Sequence, residues 1–207
     1  NYEFQTLQQY SVTNEDGLYQ KSISIHEGIM LTYSYTYDSY GPKFFEIPEE
    51  NVDISTLKVR VRQSAGSTTV QEFVRSDTIL TIGANDPVYF VQENGRGRYE
   101  IYFGDGILGK ALSDGNIIEI TGLICHGSLT NNIASFSPVS YCGYNAMNPT
   151  TQYTATVTVL QPALDGQDKE SIESISFNAP NLYEIQNRLV TAEDYKNFIL
   201  SQYTDIQ

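Results

Sequence analysis

The stretch that most constrains this chain is Val88 to Ile120, VYFVQENGRGRYEIYFGDGILGKALSDGNIIEI. Two runs with alternating apolar residues flank Gln92-Glu-Asn-Gly-Arg-Gly-Arg98, and Asn94-Gly95 is the dipeptide best suited to the positive φ angles of a tight hairpin turn. The stretch therefore predicts strand, turn, strand. In the second arm Tyr99, Ile101 and Phe103 share one face and Glu100 and Tyr102 the other. Gly104, Gly106, Gly109 and Gly115 then keep the chain turning until Asn116-Ile-Ile-Glu-Ile120 begins a further strand, which leaves no room for a helix.

The same alternation recurs on both sides. Phe4 to Val12, Gly17 to Ile25 and Gly28 to Tyr37 read as short strands separated by turn residues such as Asn14-Glu-Asp-Gly17. In the third, Tyr33, Tyr35 and Tyr37 lie on one side, as a half-buried sheet face or a row of interface anchors. Thr56 to Gln63 sets Leu57, Val59 and Val61 toward a core and Lys58, Arg60 and Arg62 away from it. That basic stripe is either a solvated strand face or a contact for an acidic partner. Val70 to Val74 is the return strand, and Ile117 to Ile124 and Tyr153 to Leu160 are further strands.

The pattern changes after Pro162. Ile172 and Ile175 have helical spacing within Glu170 to Phe177, and Asn178-Ala-Pro180 is expected to end that segment. A firmer helix begins at Thr191 as N-cap, with Asp194 in a capping box and Val190 stapled to Tyr195. Tyr195, Phe198, Ile199 and Tyr203 form its apolar stripe. The expected fold is mainly β, with antiparallel, sandwich-like sheets and a small α+β part with short helices near the C-terminus. The expected divisions are a Tyr-rich β segment at 1–47, a central antiparallel β domain at 48–162, and an α-containing segment at 163–207 that starts a following domain.

Charge and composition narrow the functions. Twelve Lys and Arg against twenty-five Asp and Glu give a formal net charge of -13, which repels a phosphate backbone, so no nucleic-acid partner is expected. No apolar run reaches the roughly 18 residues of a membrane helix, and no membrane partner is expected. Cys125 and Cys142 read as free thiols of a reducing compartment, since one possible bridge is no framework for a chain this long.

Motifs that resemble active sites fail on context. Gly104-Asp-Gly-Ile-Leu-Gly109 followed by Lys110 matches a nucleotide-binding loop literally, but no helix follows to hold the phosphate, so a glycine-rich turn is expected. Adjacent Cys125 and His126 have no zinc spacing, and no local signature pairs Cys125 or Cys142 with a histidine as nucleophile and base. Asp105, Asp114 and Glu119 are the acids that could line a glycosidase-like cleft. No catalytic, cofactor or metal residues are assigned.

Three segments together, FFEIPEENVDISTLKVRV, YEIYFGDGILGKALSDGNIIEI and ESIESISFNAPNLYEIQNRLVTAEDYKNFI, resemble the baseplate wedge proteins of T-even-like contractile-tailed bacteriophages, within the wider baseplate J-like family. The likeness runs from about Phe44 to Ile199, with Ile25-His-Glu-Gly28 as a looser extension. It implies a non-enzymatic virion protein of the tail baseplate, assembled in the host bacterial cytoplasm. Such a subunit joins wedges into a ring around the tail hub through copies of itself, a dimer by expectation, and through other wedge subunits. It also implies that the chain is an internal or C-terminal part of a longer subunit. The expected interface residues are Tyr33, Tyr35, Tyr37, Lys58, Arg60, Arg62, Tyr195, Phe198, Ile199 and Tyr203. The competing expectation is a carbohydrate-binding or hydrolysing β-domain, such as a host-surface adhesin. The absence of Trp weighs against it, although sixteen tyrosines could stack on sugars.

Overall fold

A computed structural model describes residues 2–11, 14–15, 18–136, 157–185, 191–192 and 195–196. The chain divides into two units, Asn1–Gly166 and Gln167–Gln207. The first holds eleven strands among its described residues: β1 Phe4–Gln5, β2 Asn14–Glu15, β3 Leu18–Tyr19, β4 His26–Glu27, β5 Ile29–Thr36, β6 Phe45–Glu46, β7 Val52–Arg62, β8 Val70–Arg75, β9 Val88–Glu93, β10 Tyr99–Phe103 and β11 Ile117–Ile124. Among the described residues the protein is mainly β, with one α-helix of more than a turn near the C-terminus.

Seven strands form one mixed sheet in the order β5-β11-β7-β8-β9-β10-β6, and β1-β4 and β2-β3 form two small antiparallel pairs. Every step of the large sheet is antiparallel except β8 to β9. The parallel step follows from the connection, because residues 76–87 form a crossover of the dozen residues that parallel neighbours require. The sheet curls until its edges approach. The Tyr35 ring of β5 lies 5.5 Å from Phe45 of β6, and its hydroxyl donates to the Glu46 carbonyl.

Alternation in β7 buries Leu57, Val59 and Val61, and β11 buries Ile118 and Ile120 in register with them. These residues pack with Phe45, Ile47, Val52, Phe73, Tyr89 and Ile101 into one core. Phe45, Phe73 and Phe103 meet edge to face, the arrangement that ring quadrupoles favour.

The β9-β10 hairpin forms as its alternation predicts, with Tyr99 opposite Glu93 and Phe103 opposite Tyr89. The turn differs. Asn94 N donates to Arg98 O, Asn94 Oδ1 accepts from Arg96 N and Arg98 N, and the positive φ of 77° falls on Gly97 rather than on Asn94-Gly95. The loop is thus longer than a two-residue turn, and the asparagine side chain closes it. Gly28 separates β4 from β5 with φ 130°, and a Cβ there would lie 2.5 Å from Ile124 O, so only glycine lets β11 pass so closely.

Two other expectations change. Of the predicted strand Tyr153–Leu160, residues 153–156 lie outside the described part, and Val157 to Leu160 form no strand. In the second unit the helix α1, Ile172–Ile185, runs through Pro180 instead of stopping before it. A proline removes one hydrogen bond of the ladder, which can bend a helix without ending it. Ser171 caps α1, its hydroxyl accepting from Ser174 N at 3.2 Å, and Glu173 sits in the positive first turn. At the next helical start Tyr195 N donates to Thr191 O at 3.2 Å, as an N-cap at Thr191 requires, while Val190 and Asp194 lie outside the described residues.

Candidate functional site

The tyrosine row of β5 faces inward. Tyr33, Tyr35 and Tyr37 are half-buried against the core, and their hydroxyls reach across to the β6 side. Tyr33 Oη donates to Glu49 Oε1 at 3.3 Å, and Tyr37 Oη accepts from Lys43 Nζ at 3.1 Å, with that ammonium 4.6 Å from the ring centroid. Burial first, then the nearby carboxylate, raises the Tyr33 and Tyr35 hydroxyls above their ordinary pKa. They stay protonated and donate to the oxygens opposite.

The basic stripe points outward, as alternation predicts, and each member has a protein partner. Lys58 Nζ donates to Leu7 O at 3.3 Å. Arg60 meets Glu72 at 3.0 Å and Arg62 meets Glu119 at 2.6 Å. The Arg60 pair is exposed and contributes no more than about 1 kcal/mol, but it still offsets the positive charge locally. Beyond Val59 and Phe73, β8 leaves β7 to join β9, opening a cleft of about 510 Å³. Leu57, Phe73 and Tyr89 lie at its base, and Lys58, Arg60, Glu72, Arg75 and Asp77 line it with both signs of charge.

Tyr195, from the last expected stripe, is exposed, and Phe198, Ile199 and Tyr203 lie outside the described residues.

The described groups singled out as chemical candidates are engaged structurally, and Cys142 lies outside the described residues. Asp105 Oδ1 accepts from Ile107 N and Leu108 N, and those two backbone bonds hold its carboxyl below the usual range. Gly106 N bonds to Gly109 O, Lys110 Nζ donates to Gln71 Oε1, and the chain continues to β11 without a helix. Gly104 to Gly109 is therefore a turn. Asp114 accepts from the Ser39 amide and hydroxyl, and Glu119 holds Arg62.

Cys125 Sγ donates to Glu27 O at 3.2 Å, while His126 contacts the Glu27 carboxylate through its backbone N at 2.8 Å and Nδ1 at 2.6 Å. Burial, reinforced by Asp53 and Glu27, pushes the Cys125 thiol up to about 11, the wrong direction for a nucleophile. Among the described residues no group of three His, Cys, Asp or Glu could hold a metal ion, and no helix is long and apolar enough to cross a membrane.

Sequence reasoning missed an apolar surface on two adjoining loops. Gly109 N donates to Gly83 O and Lys110 N to Asp86 O, which ties the β8-β9 crossover to the loop after β10. The first loop exposes Ile79 and Leu80, the second Ile107 and Leu108. Aliphatic pairs inside loops have no periodicity to betray them. No protein-family model and no curated protein sequence matches the chain.

Proposed function

We propose that the chain is a structural component of a contractile phage tail baseplate wedge, joining wedges into a ring through copies of itself and other wedge subunits. It acts without catalysis, and its place is the virion. The reading begins from the three segments between Phe44 and Ile199 that resemble baseplate J-like wedge proteins. One observation in the fold supports it most: the acids, thiol and histidine that could serve chemistry are tied into turns and strand contacts, while tied loops expose Ile79, Leu80, Ile107 and Leu108. An assembly subunit needs exposed apolar anchors more than perturbed acids in a cleft.

The test is immunogold electron microscopy, with an antibody against this chain, of virions made from the genome that encodes it. Gold at the distal end of the tail tube, on the baseplate, is the expected result. Gold at fibre tips, together with binding on a glycan array, would overturn the proposal in favour of a host-surface adhesin.

A further inference from the structure

The pairing of β6 with β10 carries a conflict. Its register sets Glu46 directly opposite Glu100, and like charges on opposed residues of an antiparallel pair repel. Arg98 bonds to Glu46 at 3.0 Å and, with Asn94 after it, holds that carboxyl below its usual range, so Glu46 keeps its charge.

One carboxamide bridges the two acids. Asn94 Nδ2 donates to Glu46 Oε2 at 2.7 Å and to Glu100 Oε1 at 3.0 Å. On its other side Oδ1 accepts from Arg96 N at 2.9 Å and from Arg98 N at 3.1 Å. Both donors and both lone pairs of the side chain are in use. An aspartate in its place would keep the acceptors and have no donor.

Asn94 is also the only asparagine of the chain that is followed by glycine. Gly95 has no Cβ to shield its backbone nitrogen, and a Cβ built there would meet no atom within 4 Å. The chemistry of such a dipeptide is hydrolytic and needs only water. Gly95 N attacks Asn94 Cγ, the Cγ–Nδ2 bond breaks, and Nδ2 leaves as ammonia with the proton that Gly95 N gives up. Water then opens the resulting succinimide at either carbonyl, which yields aspartate or isoaspartate.

We propose that Asn94 is a deamidation site that folding holds shut, and that its conversion turns the bridge between Glu46 and Glu100 into a third carboxylate and loosens β6. The attack needs the carboxamide to turn onto Gly95 N and Cγ to become tetrahedral, and four hydrogen bonds oppose both movements. The inference is independent of the assembly reading.

The consequence is local. With aspartate at this position Arg96 N and Arg98 N keep an acceptor, so the turn still closes. Glu46 and Glu100 lose their shared donor and gain a negative neighbour. The loss falls on β6, a strand of two residues whose Glu46 carbonyl also takes the Tyr35 hydroxyl across the seam.

The experiment incubates the wild-type chain in mildly alkaline buffer, folded and in urea, and reads the Asn94 peptide by the mass gained as NH2 becomes OH. Deamidation should be at least about tenfold slower in the folded chain, because it proceeds only through local opening. Equal rates, or a faster folded rate, overturn the protection. Asn94→Asp supplies the product directly. It should lower Tm and speed hydrogen exchange at Ile47 N, which donates to Tyr99 O at 2.8 Å beside the bridge. Glu100→Gln in that background returns an amide donor between the two positions and should restore both readouts. An Asn94→Asp chain with the Tm and exchange of wild type overturns the consequence. If Asn94→Asp does not fold, recovery of folding by Glu100→Gln takes the place of the Tm comparison, and failure to recover refutes the bridge.

Discussion

Replacing Gly122 by alanine separates two opposed effects whose sizes can be compared. Gly122 lies in β11 where the register with β7 shifts: Thr121 pairs with Lys58, but Leu123 pairs with Asp53. The extra β7 residues fold over this point. A Cβ on Gly122 would lie 2.8 Å from Leu57 Cδ2 and 2.9 Å from Val52 Cγ2, below any ordinary contact, and both side chains belong to the buried core. Removing a glycine from a strand interior contributes about 0.5–1 kcal/mol through the unfolded chain. Overpacking a filled core costs about 1–3 kcal/mol. The clash wins because Leu57 cannot swing outward without uncovering the core, and because its carbonyl also accepts the Tyr89 hydroxyl at 3.3 Å. A net loss of about 1–2 kcal/mol lowers Tm by about 2–8 °C in a unit of this size. Urea unfolding followed by circular dichroism measures it, and Leu57→Val in the Gly122→Ala background should recover part of the loss as a positive coupling. An unchanged or higher urea midpoint for Gly122→Ala would show that the shift in register is not packed as described.

Tyr35→Phe removes the hydroxyl that donates to Glu46 O across the seam and should cost about 1 kcal/mol in the same assay, where no loss would mean that the bond contributes nothing. Glu46 is held below its ordinary pKa first by the hydrogen bond from Arg98 and then by Asn94, so its contribution is complete above the usual carboxylate range and is lost as pH falls through the lowered native value. The Tm difference between wild type and Arg98→Met should therefore shrink between about pH 6 and about pH 3, and a constant difference would contradict that linkage. With its thiol near 11, Cys125 should alkylate with iodoacetamide roughly ten- to thirtyfold more slowly at about pH 8 in the folded chain than in urea, read at that residue by mass spectrometry. Equal rates would refute its protection.

What the sequence made legible was local and periodic. The period of two placed Leu57, Val59 and Val61 in the core and Lys58, Arg60 and Arg62 outside it, because side-chain direction in a strand needs no knowledge of the neighbours. What those cations meet depends on which strands flank β7. Glu72 and Glu119 come from β8 and from β11, the latter fifty-seven positions away from Arg62, and no short-range pattern encodes that pairing. The tyrosine row has the same limit. Alternation put Tyr33, Tyr35 and Tyr37 on one side of β5, but only closure of the sheet decides that this side meets Phe45 and the Glu46 carbonyl. The Asn94-Gly95 signal marked the hairpin correctly and misplaced its positive φ, since Asn94 uses its side chain to cap a longer loop. Ser171 was overlooked because a serine-rich segment offers several candidate caps, and choosing among them requires knowing where α1 starts.

The placement of these residues weighs energetically against the basic stripe as a contact. For an acidic partner to use the basic stripe, Arg60 must exchange Glu72 for the newcomer, or the newcomer must accept the Glu72 charge beside it. Arg62 would have to leave a half-buried contact of 2.6 Å with Glu119. Each exchange returns little, since one ion pair replaces another. Charge reversal tests this. Arg60→Glu should leave stability within about 1 kcal/mol, as expected for an exposed pair. Arg62→Glu should cost about 2 kcal/mol, between the values for exposed and fully buried pairs, because it sets a carboxylate against Glu119 with both positions less than one-third exposed. Neither should change the concentration dependence of molar mass. If Arg60→Glu abolished self-association at an unchanged Tm, the stripe would be a contact after all.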